Sequence, residues 1–245
     1  VKPLRRKTME SGNYYEESLN SFRLVEVYNT KIKRIKQYLK NEIEYVRSKT
    51  KRDDELLEIG AGYGRILKEL APYVKSLSGI DISQETIEYG RSYLKGLNNV
   101  SLELMDAYSM NYQERFDLIL CLQNGLSAIK GNPMLLVERA LQATRTGGRV
   151  FFSTYSPKIW EERVKWFIEQ SEKGLIGKID PTMTKDGVIR CEDGFEATTL
   201  TEQDLRRIGR STGLRYSLEE VDGSSLFLTI TKREETPLKK LSRID

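Results

Sequence analysis

A glycine-rich run at 55–64, ELLEIGAGYG, is the part of the chain best suited to hold a ligand. Its apolar first half predicts a buried strand, and its glycines permit a sharp turn and close approach of a ligand to the backbone before a helix opens at Arg65. A second apolar strand ends at Asp81, at the spacing with which one strand–helix–strand unit brings a carboxylate to a ribose. Together these features predict a site for an adenosine-containing cofactor.

The spacing of the glycines indicates which cofactor. A dinucleotide fingerprint needs G-x-G-x-x-G to seat a pyrophosphate on a helix N-terminus, whereas here Gly64 comes one residue early and Arg65 takes the required position. Glu58, just before the turn, would repel a diphosphate but suits a ligand with a free ammonium group. This acid followed by G-x-G-x-G resembles the first motif of class I S-adenosylmethionine-dependent methyltransferases. The alternative is a turn whose glycines serve packing only.

The resemblance implies cofactor contacts at the carboxyl ends of four strands, where open α/β sheets bind ligands. Glu58 would lie near the methionine ammonium group, to which Gln123 would offer its carbonyl. Asp81 would accept from both ribose hydroxyls, and Asp106 from the adenine amino group, unless Asp106 only caps a turn. The implied cofactor is S-adenosylmethionine, with S-adenosylhomocysteine as product. The full set of implied contacts is Glu58, Gly60, Ala61, Gly62, Asp81, Ile82, Asp106, Ala107 and Gln123.

The candidates for catalytic groups come from position alone. A sulfonium methyl is already activated, so orienting the acceptor is the main requirement, worth roughly 7 to 11 kcal/mol. Asn124 and Tyr155 lie at predicted strand ends facing the methyl group, and Tyr14 and Tyr15 precede the first predicted helix, where they would close on the cofactor. The competing interpretation is that the tyrosines serve packing and that Asn124-Gly125 is an ordinary turn.

Composition excludes several kinds of chemistry. The chain has no histidine, which rules out histidine bases and histidine metal ligands. Amides stand at 123 and 124, where catechol-type relatives place metal-binding carboxylates, so no metal is expected. Cys121 lies in an apolar strand far from Cys191, which favours a buried thiol over a disulfide or zinc pair. With no apolar stretch long enough for a membrane span and no secretory signal, a soluble cytoplasmic protein is expected.

Hydrophobic periodicity predicts an α/β fold with a doubly wound, seven-stranded, mostly parallel sheet and an antiparallel edge hairpin. Apolar steps of three and four residues at 16–48 predict an N-terminal amphipathic helix, or two in tandem. Predicted strands lie at 55–59, 76–81, 100–105, 116–122, 148–154, 214–221 and 225–232. Predicted helices lie at 65–73, 84–96, 132–144 and 158–173, with a hairpin in 188–200 and a further helix capped by Thr201.

Three regions are expected from this pattern: an N-terminal helical arm or lid at 1–52, a methyltransferase domain at 53–232, and a C-terminal tail at 233–245. An insertion after the fifth strand, at about 156–200, interrupts the regular alternation. The arm and the insertion would together cover the pocket.

The methyl acceptor does not follow from the residues. The stretch CLQNGLSAI at 121–129 lacks the Asn/Asp-Pro-Pro-aromatic signature of enzymes that methylate nucleic-acid bases, which favours a small-molecule acceptor methylated on nitrogen or oxygen. Residues 1–52 carry 14 basic and 6 acidic side chains, so an RNA or protein acceptor is the alternative. A second alternative is a cofactor-binding protein without catalysis. Oligomeric state and the role of the insertion stay open.

Overall fold

The computed structural model describes residues 21–233. The N-terminal region forms two helices in tandem, α1 at Ser21–Tyr28 and α2 at Lys33–Lys49. Periodicity predicted either one amphipathic helix or two in tandem here, and the structure has two. Tyr14, Tyr15 and the predicted tail beyond 233 lie outside the described residues.

The central sheet has seven strands in the order β3-β2-β1-β4-β5-β9-β8. Strands β1 to β5 run parallel, while β9 is antiparallel to both β5 and β8 and forms the edge hairpin with β8 through Asp222 and Gly223. This is the predicted fold. The strands are β1 Glu55–Ile59, β2 Ser76–Asp81, β3 Val100–Leu104, β4 Phe116–Cys121, β5 Thr144–Tyr155, β6 Ile189–Arg190, β7 Glu196–Ala197, β8 Arg215–Val221 and β9 Ser225–Thr231, of which β6 and β7 form a separate small sheet.

Helices cover both faces of the sheet. Along β4, Leu118 and Leu120 belong to one buried cluster and Ile119 to another, as expected for a strand whose side chains alternate between faces. The continuous apolar strands of the sequence therefore reflect a sheet that is buried on both sides. The helices after α2 are α3 Arg65–Leu70, α4 Gln84–Tyr93, α5 Gly125–Ala128, α6 Pro133–Ala143, α7 Trp160–Glu172 and α8 Glu202–Ser211.

Several boundaries differ from the predicted ones for local reasons. The helix expected to reach 96 ends at Tyr93, close to Gly96 with a φ of 95°. β5 begins at Thr144 rather than 148, because Thr144 pairs with Phe116 ahead of a register shift. At α8 the predicted cap is confirmed, with the Thr201 hydroxyl accepting from the Asp204 N–H and the Asp204 carboxylate accepting from the Thr201 N–H.

A third buried cluster lies outside the sheet, where α1, α2, α7 and the insertion meet. The indole N–H of Trp166 donates to the Val27 carbonyl at 2.9 Å, joining α7 to α1. Arg163, 1% exposed, donates to the carbonyls of Gly187 at 2.9 Å and Ala197 at 3.1 Å, joining α7 to the insertion. The N-terminal helix α1 is thus held to the insertion through α7, which is the insertion's own helix.

Within residues 21–233, no helix combines the length and the apolar character needed to cross a membrane.

Candidate functional site

A cavity of about 350 Å³ lies at the carboxyl ends of the parallel strands and beneath α1 and α7. Its size falls within the range of small-molecule sites. The strand-end half is formed by the nine predicted cofactor contacts, all of which line the cavity. We call one group of the other lining residues the aromatic half: Leu24, Val27, Tyr28, Tyr155, Trp166, Phe167 and Gln170. The lining also includes two cations, Arg65 and Lys130.

The glycine loop between β1 and α3 is held in a left-handed backbone conformation, with φ of 71° at Gly60, 55° at Gly62 and 85° at Gly64. Residues that carry a Cβ atom adopt such angles only with strain. A Cβ atom at Gly62 would also come within 2.9 Å of the Leu24 side chain on α1. The loop therefore needs glycine both for its turn and for the close approach of α1.

Asp81, the last residue of β2, fixes this loop. Its Oδ2 accepts from the Gly62 N–H at 2.9 Å, and its Oδ1 accepts from the Ser83 N–H at 3.0 Å. The same carboxylate lines the cavity. Asp81 thus joins the glycine turn to the start of the next helix while presenting negative charge to the cavity.

Glu58 is an acid at the buried end of β1, only 4% exposed. Its Oε2 is buried and has no hydrogen-bond partner among the described residues. Burial raises the pKa of the Glu58 carboxyl to about 8; Arg65 nearby opposes this increase and the negative charge of Asp81 adds to it. A buried acid of this kind is stabilised in its ionised form when a cation occupies the cavity.

At the end of β3, Asp106 caps a short turn. Its two carboxylate oxygens accept from the Tyr108 N–H at 3.0 Å and from the Ser109 hydroxyl at 3.3 Å. Ala107 and Ile82 line the cavity beside it. The turn cap that the sequence left as an alternative role for Asp106 is present, and the residue also lines the cavity.

The end of β4 places its two candidate residues differently. Gln123 and Asn124 both have positive φ, 53° and 66°. The Gln123 side chain lines the cavity and its Nε2 is buried without a partner among the described residues. Asn124 does not line the cavity; its Oδ1 accepts from the Thr154 hydroxyl at 2.8 Å and its Nδ2 donates to the Thr198 carbonyl at 2.7 Å. The structure therefore gives Asn124 a structural contact and leaves no amide group to act on a substrate.

The aromatic half was not predicted as a unit. Tyr155, a catalytic candidate, lines it from the end of β5. Tyr28 and Trp166 lie with ring centroids 6.5 Å apart, and Trp166 and Phe167 with centroids 6.1 Å apart. Gln170 follows Trp166 by one helical turn on α7 and is 3% exposed. In the sequence, α1 and α7 are amphipathic, and periodicity alone does not separate a cavity-facing side chain from a core one.

Arg65 lies at the boundary between the halves. Its guanidinium stacks on the Tyr28 ring, 4.5 Å from the centroid, and its Nε and Nη2 atoms are buried without hydrogen-bond partners among the described residues. The sequence pointed to Arg65 only as the residue that replaces a glycine. The structure makes it a cation with unused donors beside Glu58.

A second buried acid, Glu42 on α2, lies behind the site and is fully buried. Burial raises the pKa of its carboxyl to about 7, although the hydroxyls of Ser153 and Ser225 and the charge of Arg65 favour ionisation. Two carboxyl groups with raised pKa thus lie near one guanidinium. An unexpected acid in the middle of an amphipathic helix was the available signal in the sequence.

Residues 56–148 match the family model described as a methyltransferase domain. Among curated proteins, the chain is 28% identical over 194 residues to a ubiquinone biosynthesis O-methyltransferase from Thiobacillus denitrificans. That alignment covers 78% of this chain and 72% of the relative.

Solved structures share the fold. The PH0226 protein from Pyrococcus horikoshii OT3 superposes with a TM-score of 0.63 at 16% identity, covering 91% of this chain and 100% of the other. The N-methyltransferase NodS from Bradyrhizobium japonicum WM9, in complex with S-adenosyl-L-homocysteine, superposes with a TM-score of 0.59 at 15% identity, again covering 91% and 100%.

A seven-stranded sheet with this strand order, a glycine loop followed by an acid one crossover later, and the matched domain define a class of enzyme. Residues 56–148 carry the methyltransferase domain, and the sheet has the Rossmann-like fold of class I, S-adenosylmethionine-dependent methyltransferases.

Proposed function

We propose that the strand-end half of the cavity binds S-adenosylmethionine and that the aromatic half receives a small-molecule acceptor. The observation that carries this proposal is a set of buried polar atoms, on residues that line one cavity, without hydrogen-bond partners among residues 21–233: Glu58 Oε2, Gln123 Nε2, and Arg65 Nε and Nη2. Buried polar groups without partners are costly, so their concentration at a cavity indicates a ligand.

These atoms suit the amino-acid part of the cofactor. The Glu58 carboxylate would accept from the ammonium group, as would the Gln123 carbonyl, while the Gln123 Nε2 would donate to the ligand's carboxylate. The guanidinium of Arg65, next to Glu58, would pair with the carboxylate of the same ligand, since arginine presents a fork of donors that matches a carboxylate. An acid and a guanidinium side by side thus complement a zwitterion.

The nucleoside part would extend along the strand ends. Asp81, already oriented by Gly62 and Ser83, would accept from the ribose hydroxyls; a carboxylate has about four acceptor positions. Ile82 would cover one face of the adenine. Asp106 would accept from its amino group, with the Ala107 N–H beside the ring. Ala61, Gly60 and Gly62 would contact the cofactor through the backbone.

When bound, S-adenosylmethionine supplies a methyl group on a sulfonium, which an acceptor nitrogen or oxygen attacks. The chain's own contribution is to orient the acceptor and to exclude water. We propose that α1 and the insertion at about 156–200 form the cover that does this, since α1 is joined to α7, the helix of the insertion, over the aromatic half, and α7 is joined to the rest of the insertion. Among residues 21–233, Tyr155 is the catalytic candidate that lines the cavity.

A small-molecule acceptor is supported by the enclosure of the aromatic half and by the relatives' activity in ubiquinone biosynthesis. Oxygen and nitrogen both remain acceptor atoms in this proposal, because the structural neighbour NodS is an N-methyltransferase.

The direct test is a thermal-unfolding series with S-adenosylhomocysteine and, separately, NAD. A ligand at 100 times its dissociation constant stabilises the native state by about 2.7 kcal/mol, so S-adenosylhomocysteine should raise the unfolding temperature by several degrees. NAD should leave it unchanged. A shift with NAD alone would overturn the cofactor site proposed for these residues.

A further inference from the structure

One residue of β5, Ser153, holds two strained residues at the end of β4. Gln123 and Asn124 are consecutive residues with positive φ, a backbone conformation that residues with a Cβ atom adopt only at a cost. The Gln123 N–H donates to the Ser153 Oγ at 2.8 Å, and the Asn124 N–H donates to the Ser153 carbonyl at 2.9 Å. Ser153 is 2% exposed, so both hydrogen bonds are shielded from solvent. The strained turn is therefore fixed by its neighbour in the sheet.

This turn matters for the cavity because the Gln123 side chain lines it. The Gln123 Nε2 is buried without a hydrogen-bond partner among residues 21–233. The direction of a side chain follows from its backbone, and the Gln123 N–H is fixed by the Ser153 hydroxyl. Ser153 thus sets how the Gln123 amide enters the cavity, although Ser153 does not line the cavity itself.

The Ser153 hydroxyl also has a proton of its own to direct. Because its oxygen accepts from Gln123, that proton points to another acceptor. The group facing it from α2 is the carboxyl of Glu42, which is fully buried. The hydroxyls of Ser153 and Ser225 both favour the ionised form of this carboxyl, yet neither Glu42 oxygen completes a hydrogen bond to a described residue. Glu42 therefore acts on Ser153 through its charge, by attracting the hydroxyl proton away from Gln123.

The buried acid lowers the stability of the fold. Burial raises the pKa of the Glu42 carboxyl to about 7, with Arg65 opposing the increase, so at pH 8 the native state holds an ionised and incompletely paired acid in its interior. Apolar residues of similar volume are often more stable than such a group. An acid that the fold would be more stable without indicates a role in function.

We propose that Ser153, oriented by Glu42, is a positioning residue that holds Gln123 where its amide bonds to the amino-acid part of S-adenosylmethionine. Neither Ser153 nor Glu42 lines the cavity, so their effect passes through Gln123. This inference rests on the proposed function, because that function assigns the Gln123 amide to the amino-acid part of the ligand.

The test compares two ligands that share one nucleoside. S-adenosylhomocysteine carries the amino-acid part, whereas 5′-methylthioadenosine has only a methyl group in its place. Titration calorimetry of the full chain at pH 8 measures both dissociation constants. We expect Ser153→Ala to weaken S-adenosylhomocysteine binding about tenfold, the loss that one buried hydrogen bond supports, and to leave methylthioadenosine within about twofold of the wild type.

Thr144→Val is the matched control. Thr144 lies at the other end of β5 and is fully buried, and its hydroxyl donates to the Ala140 carbonyl at 2.7 Å. The variant removes a buried hydroxyl from the same strand, and both affinities should stay unchanged. An equal loss for the two ligands in Ser153→Ala would show that the sheet has loosened generally, which would overturn the positioning role.

Glu42→Leu provides a second measurement, in which stability and affinity should change in opposite directions. Removing the buried acid should raise the midpoint of urea unfolding at pH 8 and weaken S-adenosylhomocysteine binding about fivefold, because the Ser153 hydroxyl loses the charge that orients it. A purely structural residue would lower both together. A lower unfolding midpoint, or an affinity equal to that of the wild type, would therefore overturn the part assigned to Glu42.

These two readings for Glu42→Leu stand even where Ser153→Ala fails to fold or methylthioadenosine binds too weakly to measure. If the wild type binds S-adenosylhomocysteine and neither variant weakens that binding, this inference fails while the cofactor site stands. If the wild type itself does not bind S-adenosylhomocysteine, the proposed function fails first.

Discussion

At the scale of single residues, Asp81 combines two roles. Its carboxylate fastens the glycine loop through the Gly62 N–H and faces the cavity at the same time. A change at this position should therefore affect both the loop and the ligand, and a control is needed that removes a similar structural contact elsewhere.

We expect Asp81→Ala to weaken S-adenosylhomocysteine binding by about ten- to a hundredfold, because hydrogen bonds to a charged group contribute about 1.5 to 3 kcal/mol each. Calorimetric titration measures this. The matched control is Asp117→Ala near the start of β4, at the edge of the sheet away from the cavity. The Asp117 carboxylate also accepts from a backbone N–H, that of Glu55 at 2.8 Å. An equal loss of affinity in the two variants would show that loop stability, rather than ligand contact, is responsible.

The residues that sequence predicted and those it missed differ in a physical way. All nine predicted cofactor contacts lie at or just beyond the ends of strands, where the topology of an α/β sheet dictates that ligands bind. Arg65 and Gln170 lie within helices, and only their three-dimensional surroundings distinguish them from solvent-facing or core residues. Asn124 was favoured by position, yet its neighbours Thr154 and Thr198 use its amide.

At the scale of elements, α1 depends on α7 for its position. Besides the Trp166 contact, Glu169 accepts from the Thr30 hydroxyl and from the Lys31 N–H at 3.0 Å, just after α1 ends. The sequence predicted both helices from their periodicity. It did not predict that they join, because the partners lie about 140 residues apart.

Glu169→Ala should loosen α1 without disturbing the sheet. Loss of these hydrogen bonds should speed amide hydrogen exchange in residues 21–31 by roughly tenfold, while exchange in β1 and β4 stays unchanged. The control, Glu162→Ala on the same helix, removes an acid that pairs with Lys165 at 2.7 Å. If exchange in α1 rises equally in the control, Glu169 has no special part in holding α1.

At the scale of the whole molecule, the mostly parallel sheet was predictable because apolar strands alternate with helices at short spacing. The closing hairpin was predictable because Asp222-Gly223 joins two apolar strands. The insertion at about 156–200 stays a prediction, made from a break in that alternation. The hairpin predicted at 188–200 is present as β6 and β7. Its short strands, of two residues each, were not predictable, since they depend on tertiary contacts such as those of Arg163.

Global stability should depend on pH through the two buried acids. The pKa values of about 8 at Glu58 and about 7 at Glu42 exceed the ordinary value of 4.5. As pH rises above 4.5, the unfolded chain releases protons that the native state retains, so the free energy of unfolding decreases. The loss should continue until about pH 7 to 8 and amount to roughly 3 kcal/mol or more per group.

Denaturant unfolding between pH 4.5 and 8.5 measures this dependence. Glu58→Gln and Glu42→Gln should each flatten the decline, and the double variant should flatten it most. Glu85→Gln, at an exposed position on α4, should leave the decline unchanged. A wild-type stability that increases over this range would contradict the raised pKa of both groups.

The two halves of the cavity come from separate stretches of the chain, and this division has a practical consequence. The groups assigned to the coenzyme belong to the rigid sheet and its first loops, whereas most walls of the other half belong to α1 and α7. An engineer seeking a new alkylation product would therefore graft both helices as one unit, because Trp166 and Val27 hold them in register. Exchanging either helix alone would break that bond and misplace the graft.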